Sequence, residues 1–127
     1  MADWLIKRKT KAATIAIDGL NASMVLVERL REGGITAKGA ITIPKSGDVV
    51  AAASMLLNAI REGEVTHFNQ PALNESALMS EKRLIGSNGG WSFGSKQVDS
   101  TLIEAAALAY WSVCTTKRNP QRKQVLI

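Results

Sequence analysis

The sequence contains one cysteine, one histidine and three prolines in 127 residues, and aromatic side chains make up only 5% of it. A single cysteine excludes a disulfide framework and a cysteine-rich zinc site, and it suits a reducing cytoplasm. Cys114 lies in an apolar helical run, where a free thiol is expected to pack as a small hydrophobe. His67 is far from Cys114 in sequence, and no Ser/His/Asp elbow occurs, so nucleophilic catalysis has no visible triad. Gly89-Gly90 has neither GxGxxG nor GxxxxGK[ST] spacing, so no nucleotide loop is indicated. Uncharged apolar runs of about 18 residues are also missing, which argues against a membrane span. Met1-Ala2-Asp3-Trp4 lacks a basic region followed by an apolar core, so no signal peptide is expected.

Hydrophobic residues make up 46% of the chain and charged residues 21%, enough for one core of ordinary composition. The length fits one domain. We expect a single α/β domain over residues 1–116 and a basic tail over 117–127. Net charge is +5, from 16 basic and 11 acidic side chains. Much of the excess lies at the ends: Lys7, Arg8, Lys9 and Lys11 at one, and Lys117, Arg118, Arg122 and Lys123 at the other. Such ends can hold an anionic partner such as nucleic acid, or simply keep the protein solvated.

The hydrophobic period changes along the chain. Residues 3–10 can form a short helix carrying Trp4, Leu5 and Ile6. Ala12–Ile17 reads as a buried strand that stops at the Asp18-Gly19 turn. Residues 21–32 take helical spacing through Met24, Val27 (or Val25) and Leu30, with Asn21 as N-cap and Gly33-Gly34 as stop. Residues 35–43 read as a second strand ending at Pro44. Ser46-Gly47-Asp48 opens a helix to about Arg61, with Val49, Ala52, Met55 (or Leu56) and Ile60 inward. Val65–Phe68 is short and apolar and suits a third strand. Pro71 starts a helix to about Lys82, where its missing N–H costs nothing. Arg83–Gly86 and Trp91–Gly94 flank a glycine-bearing turn, a hairpin signal. Asp99 opens a last helix through Thr115, with Leu102, Ala105 (or Ala106), Ala109 and Val113 inward, and Thr101 and Glu104 at capping-box spacing. The alternation predicts a mainly parallel sheet with helices on both faces, plus a C-terminal β-hairpin.

Two carboxylates stand at positions where chemistry is often placed. Asp18 closes the first strand, and ligands of open α/β sheets bind at the carboxyl ends of strands. A carboxylate there can hold Mg²⁺, which prefers oxygen ligands; it can equally serve the Asp-Gly turn. Asp99 precedes a long apolar helix, where aspartate is a favoured cap. His67 is either structural or a site group. Trp91 and Phe93 are at strand spacing and share a face, as core or edge cover or as a platform for bases.

Three segments resemble the C-terminal part of the large terminase subunits of tailed phages. They are "TIAIDGLNASMVLVERLREGGI", "THFNQPALNESALMSEKRL" and "GGWSFGSKQVDSTLIEAAALAYW". In order and spacing they are similar to that family's strand, acid and helix, then its short strand, histidine, proline and helix, then its hairpin, basic residue, acid and alanine-rich helix. The likeness covers about residues 12–116. It implies an RNase H-like nuclease fold and a part in viral DNA packaging in a bacterial host cytoplasm. It makes Asp18 and Asp99 the catalytic, metal-holding acids, with Mg²⁺ or Mn²⁺ as cofactor, and Lys96 a contact to a DNA phosphate. It also implies DNA and other terminase or portal components as partners.

An RNase H-like fold begins with three antiparallel strands, the first of which bears another metal-binding acid. About a dozen residues precede the first strand here, too few for three strands of about five residues each. The expectation is therefore a truncated RNase H-like fold, with metal-dependent DNA cleavage weak or silent in isolation. The Ala12–Ile17 strand would then expose an edge, covered by self-association, by the N-terminal helix or by a partner. Two alternatives stand beside this one: a non-catalytic prophage-derived binding or assembly module, and an unrelated small α/β protein whose two aspartates serve only a turn and a cap.

Overall fold

The computed structural model describes residues 1–19 and 22–119. The expected Asn21 cap and most of the basic tail lie outside them. Among the described residues the order is α1 (Ala2–Ile6), β1 (Ile15–Ala16), α2 (Ala22–Glu32), β2 (Ile41–Thr42), α3 (Ser46–Arg61), α4 (Pro71–Leu78), β3 (Glu81–Ile85), β4 (Gly90–Gly94) and α5 (Thr101–Thr115). The chain is thus mixed α/β. In place of one mainly parallel sheet, the described residues form two sheets of two strands each: β1 and β2 pair in parallel, β3 and β4 antiparallel. It divides into two compact units, one of Met1–Ile43 with the chain from Ser112 onward, the other of Pro44–Trp111.

The first unit is built around α2. Val27 and Leu30 are fully buried and meet Ile17, Ile35 and Ala40 in one cluster. Met24 and Val25 are largely exposed, so the inward stripe takes the expected Val27 and Leu30 and leaves Met24 out. Ala2, Leu5 and Ile6 of α1 pack on this cluster, which gives the N-terminal helix a place on the core.

α2 ends in a Schellman arrangement. The Ile35 amide donates to the Leu30 carbonyl at 3.0 Å and the Gly34 amide to that of Arg31 at 3.0 Å. This needs a left-handed residue, and Gly34 has φ +96°. The chain bends again at Gly39, so the expected strand 35–43 shortens to Ile41–Thr42. Its register with β1 is Ile15 to Ile41 and Ala16 to Thr42, reinforced by a 2.8 Å hydroxyl contact between Thr14 and Thr42.

In the second unit α3 buries Ala52, Ala53, Leu56 and Ala59, while Ile60 turns outward. The Asp48 carboxylate accepts the Lys45 amide at 2.8 Å and so satisfies a donor at the start of the helix. No strand forms at residues 65–68. Phe68 is 95% exposed there, and an extended segment that pairs with no other strand has no ladder to hold it. α4 stops at Leu78, short of Lys82, because Glu81 and Lys82 enter the hairpin.

The hairpin pairs Leu84 with Trp91 and Lys82 with Phe93 around a turn over residues 86–89. Its other face carries small residues: Ser92 and Gly94 are buried, and a Cβ at Gly90 would stand 3.0 Å from Val50 of α3. α5 buries Ile103, Ala107, Leu108 and Ser112, nearly the opposite face of the helix from the expected stripe; Leu102 and Val113 are exposed. Glu104 is the only charged residue of this helix, so its pattern carried no phase. Cys114, expected in the core, is exposed for the same reason.

Candidate functional site

Asp18 is exposed two residues beyond β1, at the carboxyl end of the parallel pair. Its Oδ1 accepts the Gly19 amide at 2.8 Å, and Gly19 takes φ +108°, a conformation suited to glycine. The Gly19 carbonyl in turn accepts the Ser23 hydroxyl from the first turn of α2. The aspartate therefore serves the turn expected of it and stays open to solvent.

Asp99 is exposed just before α5. Its Oδ1 accepts the Thr101 amide at 2.9 Å. Hydrogen bonds from the Thr101 hydroxyl and amide hold its carboxyl below the usual aspartate range, so it is ionised at neutral pH. The capping box expected of Thr101 and Glu104 is replaced by a side-chain bond from Ser100 to Glu104, beside an ordinary helical backbone bond. The Ser100 hydroxyl donates to Glu104 Oε1 at 2.7 Å, and the Ser100 carbonyl accepts the Glu104 amide at 3.0 Å.

Lys96 is exposed in the loop between β4 and α5. That loop is shaped by the Ser95 hydroxyl, which accepts the amides of Gln97 and Val98 at 3.2 Å each. Asp99 and Lys96 thus share the second unit, and Asp18 belongs to the first.

Sequence reasoning missed Ser76. This α4 residue is buried; its hydroxyl donates to the Asp99 carbonyl and accepts the Ile103 amide. It fixes where α5 starts and hence where Asp99 stands. Serine in mid-helix is ordinary on composition, and no spacing rule links it to a helix 23 residues on.

His67 is exposed. Its Nδ1 accepts the Asn69 amide at 3.0 Å, and Asn69 Oδ1 accepts the Asn74 side-chain amide at 2.7 Å. His67 and Asn74 stand at the margin of a cavity of about 370 Å³ whose walls are otherwise apolar, including Leu56, Leu73 and Ile103. On the outer hairpin face the Trp91 and Phe93 rings meet edge to face at 5.5 Å, and Lys82 Nζ lies 4.6 Å from the Trp91 centroid. The two tryptophan-side residues share a face as expected.

The charge is unevenly divided. Among the described residues the first unit holds nine lysines and arginines against four acids; the second holds five against seven. The net positive charge of the described residues is therefore carried by the first unit.

No family model, curated protein or solved structure matches the chain. No described helix is long and apolar enough to cross a membrane.

Proposed function

We propose that the chain acts on DNA in phage DNA packaging, as a portion of an RNase H-like terminase nuclease domain whose metal-dependent cleavage is weak in isolation. The observation that carries this reading is the place of Asp18: an exposed carboxylate at the carboxyl end of a parallel strand pair joined by one helix. Asp99 supports it as an exposed, ionised acid at the head of the closing helix, three residues beyond Lys96.

On this reading Asp18 and Asp99 hold Mg²⁺ or Mn²⁺, and Lys96 contacts a backbone phosphate. A divalent ion would supply an activated water and stabilise the leaving oxygen of a phosphodiester. Each carboxylate already gives one oxygen to a backbone amide, which leaves fewer donors for an ion. That is the physical ground for weak cleavage.

A second reading, a non-catalytic prophage-derived binding or assembly module with DNA, packaging components or its own copies as partners, is favoured by those same two amide bonds. They give both acids a purely structural use.

Plasmid nicking with Mn²⁺ separates the two. The first reading expects slow nicking that Asp18→Asn and Asp99→Asn each abolish. Equal nicking by wild type and Asp18→Asn, or none by wild type, ends the nuclease assignment. DNA retention without nicking supports the binding module.

A further inference from the structure

A second feature of the first unit lies at the opposite edge of its strand pair from Asp18. A cleft of about 270 Å³ opens at the amino-terminal ends of β1 and β2, bordered by Ala12, Ile15, Thr36 and Ala40. Two cations from opposite ends of the chain, Lys9 and Arg118, line it, and no carboxylate does. One residue from each of the two basic segments noted in the sequence thus borders the same cleft.

Each cation lies against a glycine in the left-handed region. A Cβ at Gly34 would stand 2.9 Å from Lys9 Nζ, and a Cβ at Gly39 would stand 3.4 Å from Arg118 Cδ. Any side chain at Gly34 would displace the ammonium. Arg118 is also pinned: its Nη1 donates to the Ala13 carbonyl at 2.8 Å. That bond engages one of the five N–H donors of a guanidinium, whose planar fork matches phosphate oxygens. Thr10 and Thr36 add hydroxyls to the walls. The surrounding unit, with nine basic against four acidic side chains among its described residues, attracts polyanions over a longer range.

We propose that this cleft is a phosphate-binding site that grips the backbone of DNA, with Lys9 as point charge and Arg118 as oriented fork. The choice of DNA among polyanions rests on the function proposed above; the phosphate site does not. Its place at the amino edge makes it an anchoring site, separate from any chemistry at Asp18.

The test is binding of a labelled DNA duplex to the full chain at several salt concentrations. Lys9→Gln with Arg118→Gln should weaken binding about tenfold or more and lower the salt slope by about one per lost contact. Arg118→Lys, which keeps the charge and loses the fork, should fall between. Thermal melts monitor folding, and should the double variant melt early, Lys9→Gln alone, which breaks no backbone bond, decides. Wild-type affinity in the folded variants would overturn the site and leave DNA binding standing. If the wild type ignores DNA, inorganic phosphate and pyrophosphate are titrated while the Gly34 and Thr36 amide resonances are followed. Saturable shifts, lost in Lys9→Gln, retain the phosphate site and remove DNA as its ligand. No shifts overturn the site.

Discussion

The hydroxyl of Ser76 accepts a hydrogen bond from the Ile103 amide at 3.2 Å while donating one to the Asp99 carbonyl at 3.0 Å. One buried side chain in α4 thereby satisfies a donor that the first turn of α5 cannot pair within the helix. It ties the start of the closing helix to a neighbour that a capping rule would never consult.

Ser76→Ala should therefore destabilise the protein by about 1–3 kcal/mol, the usual result of leaving a buried amide without a partner. Urea unfolding measures this directly. Ser80→Ala, just past the end of α4, loses a hydroxyl bonded to the Ser76 carbonyl and should cost less. Equal effects at the two positions would remove Ser76 from its positioning role.

Asp99 makes a pH prediction. Its carboxyl titrates below the ordinary aspartate range because the Thr101 hydroxyl and amide stabilise the anion. A depressed folded-state value means that the stabilisation is present above the unfolded value and is lost as pH falls through the folded one. A carbon-detected NMR titration should place the Asp99 midpoint below that of an unstructured aspartate. Thr101→Val, which removes the hydroxyl, should raise it.

The phase of α2 can be checked with two truncations. Leu30 is fully buried, so Leu30→Ala should cost about 2–5 kcal/mol. Met24 is 43% exposed, so Met24→Ala should stay within about 0.5 kcal/mol of wild type. Reversed magnitudes in denaturant titrations would show that the helix presents its other stripe.

Gly34→Ala should destabilise by about 1–2 kcal/mol, the ordinary cost of forcing a side chain into the left-handed region. It should also dislodge Lys9, whose ammonium occupies the space of the new methyl group. The combined signature is a lower melting temperature together with weaker polyanion binding. Gly47→Ala, in open space and without a positive φ, should do neither.

Elements with punctuation were legible in the chain. α2 ends at the Gly33-Gly34 stop, α4 begins at Pro71, and the hairpin turns on its glycines, because these residues act through local backbone conformation. Elements without such marks were misread. Val65–Phe68 has strand composition, yet nothing pairs with it, and strand formation depends on a partner. α5 is apolar nearly all round, so whether Leu102 or Ile103 turns inward depends on what packs against it.

The candidate site divides in the same way. That Asp18 follows a strand and Asp99 precedes a helix can be read from the residues alone, since Asp-Gly turns and aspartate caps are made by bonds to amides one or two residues away. So can the basic character of both ends. Packing alone places Ser76 at the start of α5, sets Lys9 and Arg118 on one cleft, and gathers the excess positive charge of the described residues into one unit. Those relationships join residues far apart in the chain, and they exist only once packing has brought the segments together.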